Sequence, residues 1–366
     1  MWNDRAAWVS ALPLLLLAFI GLGSCAGRRG AEASAHVSAS EGQPDGAALY
    51  AQTCALCHGA DREGYAADNA PSLRTPDLYD RAPLSFVWLT ISYGRPGTPM
   101  AAFSKEQGGP LDHDAQQRLV SWLVEESGVK APTPVAAAAV PGDVARGEQV
   151  YAERCDSCHG ARGEGVSAPA LANPVPLATA SDALLRDVIT RGRAGTPMLS
   201  YAETLTPQAI DDVTAFLRSR AAGWSAPAPI VLRPPELTAA VQNPAAPAAT
   251  FTARDGRFVA VDDVNAALRH QARLVLLDAR PTSDWQQGHL PGALPVPFYD
   301  GVAEILPHLP RDGTPIVVYC ACPHAASGKI VDALRAEGLS QAYVLDEGVL
   351  IWASRGYPLA VGGAAP

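Results

Sequence analysis

The chain has 366 residues, enough for two or three domains of ordinary size. It is 48% hydrophobic and 18% charged, with 28 Lys and Arg against 37 Asp and Glu, a net charge of −9. The basic residues are scattered and no long like-charge block occurs, which excludes a nucleic-acid-binding surface. The 7 cysteines are Cys25, Cys54, Cys57, Cys155, Cys158, Cys320 and Cys322. An odd count excludes a simple all-disulfide framework, and the close pairing of the last six points to cofactor or redox chemistry.

Residues 1–25 read as an export segment. Ala6 to Gly23 is almost entirely apolar, and the chain then turns small and polar. Such a run is also long enough for an uncleaved membrane helix, although Pro13 and the glycines weaken that alternative. Leu22-Gly23-Ser24-Cys25 resembles a bacterial lipobox, which implies lipidation at Cys25. Lipid anchor, N-terminal helix and soluble secreted form stay open. Each puts the body outside the cytoplasm, and the first two put it on the periplasmic side of a bacterial membrane. Residues 26–44 form a linker.

Two segments then repeat. Gly46–Gly64 reads GAALYAQTCALCHGADREG, and Arg146–Gly165 reads RGEQVYAERCDSCHGARGEG. Each holds C-x-x-C-H, the signature of c-type haem attachment. Two thiols one helical turn apart can add to the two vinyl groups of one haem, and the adjacent His then lies under the iron. This makes Cys54, Cys57, Cys155 and Cys158 thioether candidates and His58 and His159 axial ligands. A zinc half-site or dithiol motif is the alternative for a single copy; the repeated framework argues against it.

The repeat also finds a sixth ligand. Gly94-Arg95-Pro96-Gly97-Thr98-Pro99-Met100 matches Gly192-Arg193-Ala194-Gly195-Thr196-Pro197-Met198. Met100 and Met198 are the only methionines after Met1, and a thioether is a soft iron ligand that raises the reduction potential. Their alternative role is filling gaps in the core. Pro71 and Pro169 each precede the methionine by 29 residues. Helices are expected over 47–52 and 147–153. Leu111, Leu119, Trp122 and Leu123 correspond to Leu205, Val213, Phe216 and Leu217 on later helical faces.

Residues 45–130 and 142–222 thus resemble class I cytochrome c domains, most like those of dihaem cytochromes and oxidase-linked c subunits. The resemblance implies all-α domains and two covalently bound haem c groups. It also implies that the Pro71 and Pro169 carbonyls hold the two histidines. The short stretch 131–141 should keep the two domains close. Residues 223–250, rich in Pro and Ala, read as a semi-rigid spacer separating them from the C-terminal part of the chain.

Residues 251–362 show short apolar runs at 258–261, 274–277, 294–296, 316–319 and 343–345, with helical stretches at 264–270 and 325–337. This is a doubly wound α/β pattern. Leu277-Asp278-Ala279-Arg280, Asp284-Trp285, Gly288-His289-Leu290-Pro291-Gly292-Ala293 and Val317-Val318-Tyr319-Cys320 resemble a rhodanese domain. That family implies a persulfide at Cys320, between a strand end and a helix N-terminus that stabilises a thiolate or oxyanion. The loop here reads Cys320-Ala321-Cys322-Pro323-His324-Ala325-Ala326-Ser327, without the usual Gly and Arg. His324 is the one substitute for that missing cation. Cys322 is a candidate resolving thiol, and Cys320, Cys322 and His324 form an alternative metal set. His289 and Asp278 read as structural.

The fold expected is multidomain: two all-α cytochrome c domains, then an α/β doubly wound rhodanese-like domain. The function expected is a membrane-anchored dihaem cytochrome carrying single electrons in a respiratory or sulfur-redox chain. Its partners are redox proteins of a respiratory complex or oxidase, the membrane, and a small sulfur compound as a candidate, with no nucleic acid. The alternatives are a haem-coupled sulfurtransferase or thiol oxidoreductase at Cys320, or a rhodanese domain that only docks.

Overall fold

Each half of the repeat builds its helices from local signals. This computed structural model describes residues 43–67, 69–135, 139–220, 228–229, 231–233, 236–237, 240–321 and 324–362. Cys25 and the whole export segment lie outside them, as do Cys322 and Pro323. In the first domain α1 (Gly46–Thr53) starts at Asp45, whose carboxylate accepts the Ala48 N–H at 2.8 Å. It leads through α2 (Ala55–His58), α3 (Pro76–Asp80) and α4 (Leu84–Tyr93) to α5 (His113–Glu126), which Asp112 caps. The second domain repeats this with α6 (Val144–Arg154), α7 (Asp156–His159), α8 (Pro174–Thr179), α9 (Asp182–Arg191) and α10 (Pro207–Ser219). Asp143 caps α6, and Thr206 followed by Pro207 starts α10.

In both domains the first helix crosses the last at a glycine. A Cβ on Gly46 would sit 2.2 Å from the Cβ of Trp122, and one on Gly147 would sit 2.0 Å from the Asp212 carbonyl oxygen. The crossings are therefore backbone-close. Around them Leu119 and Leu123, and Val213, Phe216 and Leu217, are buried on the faces that the sequence periodicity marks. Tyr50 packs on Trp122 with centroids 5.1 Å apart, and Tyr151 on Phe216 at 5.2 Å. Each such aromatic pair contributes about 0.5–1.5 kcal/mol beyond its area.

The two domains touch directly. Arg81 makes a two-pronged ion pair with Asp187 at 2.8 and 3.2 Å. The Asn69 side chain donates to the Val166 carbonyl at 2.7 Å, and that of Asn173 to the Pro96 carbonyl at 3.0 Å.

The C-terminal domain is a mixed sheet with helices. Its elements are β1 (Val241–Gln242), β2 (Phe258–Val259), α11 (Val261–Arg269), β3 (Leu274–Asp278), α12 (Thr282–Gln287), β4 (Leu294–Pro295), β5 (Ile316–Tyr319), α13 (Ala325–Ala336), β6 (Ala342–Leu345) and α14 (Gly348–Ser354). The sheet runs β1-β3-β5-β6-β2, with β4 also on β3. Central strands β3 and β5 are buried along their whole length, as continuous apolar runs require of parallel strands covered on both faces.

Two expectations need correction. The stretch 223–250 is not only a spacer, because it supplies β1, which pairs antiparallel with β3. Nor does it hold the C-terminal domain apart. The Gln52 side chain donates to the Tyr299 carbonyl, Phe103 packs 6.5 Å from Tyr299, and one apolar cluster runs from Leu49 and Leu119 through Tyr299 to Ile330. Proline content sets how stiff a linker is; burial of Phe103, Phe298 and Tyr299 decides where the chain returns.

Gly147→Ala should lower the stability of the second domain by about 1–3 kcal/mol through overpacking. Thermal unfolding followed by circular dichroism reads the effect; an unchanged midpoint contradicts the close crossing.

Candidate functional site

The helix α1 kinks at Cys54, and α2 restarts at once, because the Cys57 and His58 N–H groups both donate to the Cys54 carbonyl at 3.1 and 3.0 Å. This places the two thiols one turn apart and presents His58 at the helix end. The same bonds from Cys158 and His159 to Cys155 shape the second motif at 3.3 and 3.0 Å. Gly59 and Gly160 then reverse the chain in the left-handed region, with φ of 84° and 85°. The Tyr50 hydroxyl donates to the Gly59 carbonyl at 2.7 Å, and that of Tyr151 to Gly160 at 2.9 Å.

His58 Nδ1 lies 2.8 Å from the Pro71 carbonyl oxygen, and His159 Nδ1 lies 2.8 Å from that of Pro169. A carbonyl oxygen only accepts, so Nδ1 must carry the proton in both rings. Nε2 is then left with its lone pair. Burial lowers both histidine pKa values, against the carbonyls that raise them, so the imidazoles are neutral and ligand-ready at pH 7. Burial also pushes the Cys54 and Cys155 thiols up to about 11, which disfavours the thiolate that disulfide exchange needs.

The methionine loops are closed turns of the same design. The Arg95 N–H donates to the Met100 carbonyl at 2.7 Å, and the Arg193 N–H to that of Met198 at 2.9 Å. The Thr98 hydroxyl caps the Arg95 carbonyl and accepts from the Met100 N–H, and Thr196 does the same for Arg193 and Met198. The loops differ in cover. Ala101 after the first methionine is 5% exposed, whereas Leu199 after the second is 74% exposed. Tyr50, Tyr151, Thr98, Thr196, Arg95 and Arg193 are site-shaping residues that the motif reading left out. Each is identical in the two repeats, which was the signal available.

These residues fit haem c. A dithiol pair one turn apart, an imidazole with its tautomer fixed and its Nε2 open, and a thioether on a rigid loop make up the donor set of such a group.

In the C-terminal domain Cys320 follows β5 and is 2% exposed, its Sγ 3.3 Å from the Ser327 hydroxyl. His324 precedes α13 in the left-handed region at φ 87°. Its Nε2 contacts Asp346 at 2.8 Å and its ring lies 4.4 Å from Phe258, so this side chain is committed to Asp346 rather than to an incoming anion. Arg254 pairs with the same Asp346 at 2.7 Å. Asp278 and Arg280 form a buried ion pair at 2.6 Å, and His289 stacks on Trp285 at 4.2 Å while bonding its carbonyl. Both are structural, as the sequence implies. Among the described residues no group of three or more His, Cys, Asp or Glu could hold a metal ion.

Residues 42–123 and 142–217 match the family model for cytochrome c oxidase, cbb3-type, subunit III, and residues 260–355 match that for the rhodanese-like domain. The chain thus has two regions similar to cytochrome c subunit domains, followed by a region similar to rhodanese-like domains. The two C-x-x-C-H motifs, each with its imidazole and methionine loop, are the residues that would hold two covalently bound haem c groups. The chain is 29% identical over 196 residues to the cbb3-type cytochrome c oxidase subunit CcoP of Azospirillum sp. (strain B510), covering 49% of this chain and 62% of that one. It is 30% identical over 188 residues to subunit FixP of Bradyrhizobium diazoefficiens, covering 49% and 61%. The chain therefore spans less than two thirds of the length of these curated relatives. A rhodanese-related protein from Thermoplasma volcanium is similar at 23% identity and a TM-score of 0.25, over 28% of this chain and 97% of that one.

Asp278→Ala removes the carboxylate that pairs with the buried Arg280 guanidinium, which keeps its bond to the Gly288 carbonyl. The rhodanese-like domain should lose about 3–5 kcal/mol of stability, measurable by denaturant unfolding.

Proposed function

We propose that this dihaem cytochrome carries single electrons to a cbb3-type terminal oxidase on the periplasmic side of a bacterial membrane. The domains are residues 45–130, 142–222 and 251–362, with β1 of the preceding stretch added to the sheet of the last. The anchor is the N-terminal segment, through lipid at Cys25 or through its apolar run. Among the described residues no helix is long and apolar enough to cross a membrane.

One observation carries this reading: both repeats offer the same donor set, with each His Nδ1 bonded to a Pro carbonyl at 2.8 Å. Haem c supplies one-electron exchange at iron, and a Met ligand holds that couple at a high potential. Cys54 with Cys57, and Cys155 with Cys158, anchor the two groups as thioethers. His58 and His159 would each offer Nε2 to the iron, oriented by Pro71 and Pro169. Met100 and Met198 would each offer a thioether from loops that the Thr98 and Thr196 hydroxyls stiffen.

The rhodanese-like domain acts in this reading as a docked module on the first cytochrome domain. Three features support that role: the loop lacks its cation, His324 is tied to Asp346, and α13 joins the apolar cluster of the first domain. Sulfur chemistry at Cys320, with Cys322 resolving a persulfide, is the alternative.

Met100→Ala and Met198→Ala should each abolish the ferric methionine–iron absorption band of one haem and lower its reduction potential; unchanged spectra in both variants contradict the ligand assignment. Sulfide or thiosulfate added anaerobically to the oxidised holoprotein should leave the haem spectrum unchanged. Reduction that disappears in Cys320→Ser replaces the docking role with the sulfur role.

A further inference from the structure

The two repeats differ in the residues that flank their thiols. Aligned at the cysteines, Gln52, Thr53, Ala55 and Leu56 stand where the second repeat has Glu153, Arg154, Asp156 and Ser157. Uncharged residues in one copy are thus mostly charged in the other, while the tyrosine, both cysteines and the histidine are the same. Both stretches fold into the same pair of helices, α1 with α2 and α6 with α7, so local structure does not account for the difference. Their surroundings do.

In the first domain this stretch is covered. The rhodanese-like helix α13 packs against α2, and Ala55 and Leu56 join the apolar cluster that holds Phe298 and Ile330. Gln52 Nε2 donates to the Tyr299 carbonyl at 3.2 Å, and Phe103, three residues after Met100, lies 6.5 Å from the Tyr299 ring. A carboxylate at position 55 would lose its water there with no cation opposite, which explains the neutral residues. In the second domain the counterparts are open. Ser157 and Cys158 are exposed, and so is Leu199. Tyr201, the match of Phe103, turns its hydroxyl to its own domain and donates to the Arg154 carbonyl at 2.9 Å. That bond ties the loop of Leu199 and Glu203 to the end of α6. An apolar spot therefore sits beside Cys158 within a rim of Glu153, Asp156, Glu203 and Arg154, three carboxylates to one guanidinium. An apolar centre inside a charged rim is the anatomy of a protein contact, and the excess of carboxylates selects a basic partner.

We propose that the rhodanese-like domain closes this face of the first cytochrome domain, and that the matching face of the second, around Cys158 and Leu199, is the docking surface for a redox protein with a basic contact face. A haem bonded through Cys155 and Cys158 has its attachment edge at those sulfurs, by the bonds themselves. One electron crosses there per encounter, oxidising one protein and reducing the other, with no bond made or broken. A second copy of the rhodanese-like domain does not fit this face, because Asp156 and Ser157 stand where that domain meets Ala55 and Leu56. The inference rests on haem c being seated at both motifs.

The test is hydroxyl-radical footprinting of the full-length ferric holoprotein, alone and with a probe. The probe is ferric mitochondrial cytochrome c, a small protein whose contact face is rich in lysine. Haem content is read first. A wild type without two haems overturns the haem assignment; with two haems seated, the labelling pattern judges this inference alone. The probe should lower the labelling of Leu199 and Tyr201 several-fold at about 0.01 M ionic strength, and much less at about 0.1 M, where charges are screened beyond about 10 Å. Leu56 and Phe103 should stay weakly labelled with and without it. E153K/E203K should abolish the protection. In A55D/L56S, which places the second repeat's residues in the covered face, labelling of Phe103 should rise. Should that variant lose haem, Y299D opens the same face from the other side, with the same rise expected. The inference is overturned if the probe leaves Leu199 unprotected, or if E153K/E203K is protected like the wild type. It is also overturned if Phe103 stays weakly labelled in the opened variant. Leu199 labelling that falls with protein concentration in the absence of the probe makes a second copy the occupant and overturns it too.

Discussion

A hydrogen bond to a proline carbonyl holds each axial-candidate histidine, and the cytochrome half is organised around that bond. It is short, local to one loop and present twice. By fixing the proton on Nδ1 it selects one tautomer and one ring orientation. Everything else in each repeat arranges itself around that choice. Tyr50 and Tyr151 hold the turn after the histidine, the crossing of the first and last helices holds the tyrosine, and the glycine at the crossing lets those helices touch. A change at the crossing glycine therefore acts on the imidazole through three packed layers.

The repeat is symmetric in its ligands and asymmetric in its surroundings. The first domain buries Ala101 and Phe103 after its methionine and presents α1 and α2 to the rhodanese-like domain. The second leaves Leu199 and Val166 exposed. One chain thus surrounds two equivalent donor sets with different dielectric environments, and burial is one of the levers a protein has on the potential of haem iron.

The rhodanese-like domain keeps its fold while changing its loop. Buried β3 and β5, the Asp278–Arg280 pair and the Trp285–His289 stack are intact scaffold. The place where family members carry a cation is filled by neutral residues and by a histidine turned to Asp346. A scaffold that needs no chemistry to fold can serve as a module that packs against a neighbour.

The haem-attachment motifs, the methionine loops and the order of domains were legible because each is written in consecutive residues, and the first two are written twice. The strand cores at 274–277 and 316–319 were legible because fully buried parallel strands read as unbroken apolar runs. β1 was not, since two residues in a proline-rich stretch carry no period. Nor were the roles of Tyr50, Arg95 and His324, although their identities were in plain view. Residue order alone picks out the candidate iron ligands and the two haem-attachment motifs, because covalent attachment demands fixed residue types at fixed spacing. It took the folded chain to bring the rhodanese-like domain onto the first cytochrome domain and to join the repeats through Arg81 and Asp187. Those outcomes depend on burial and charge between residues far apart in the chain, which no local pattern encodes.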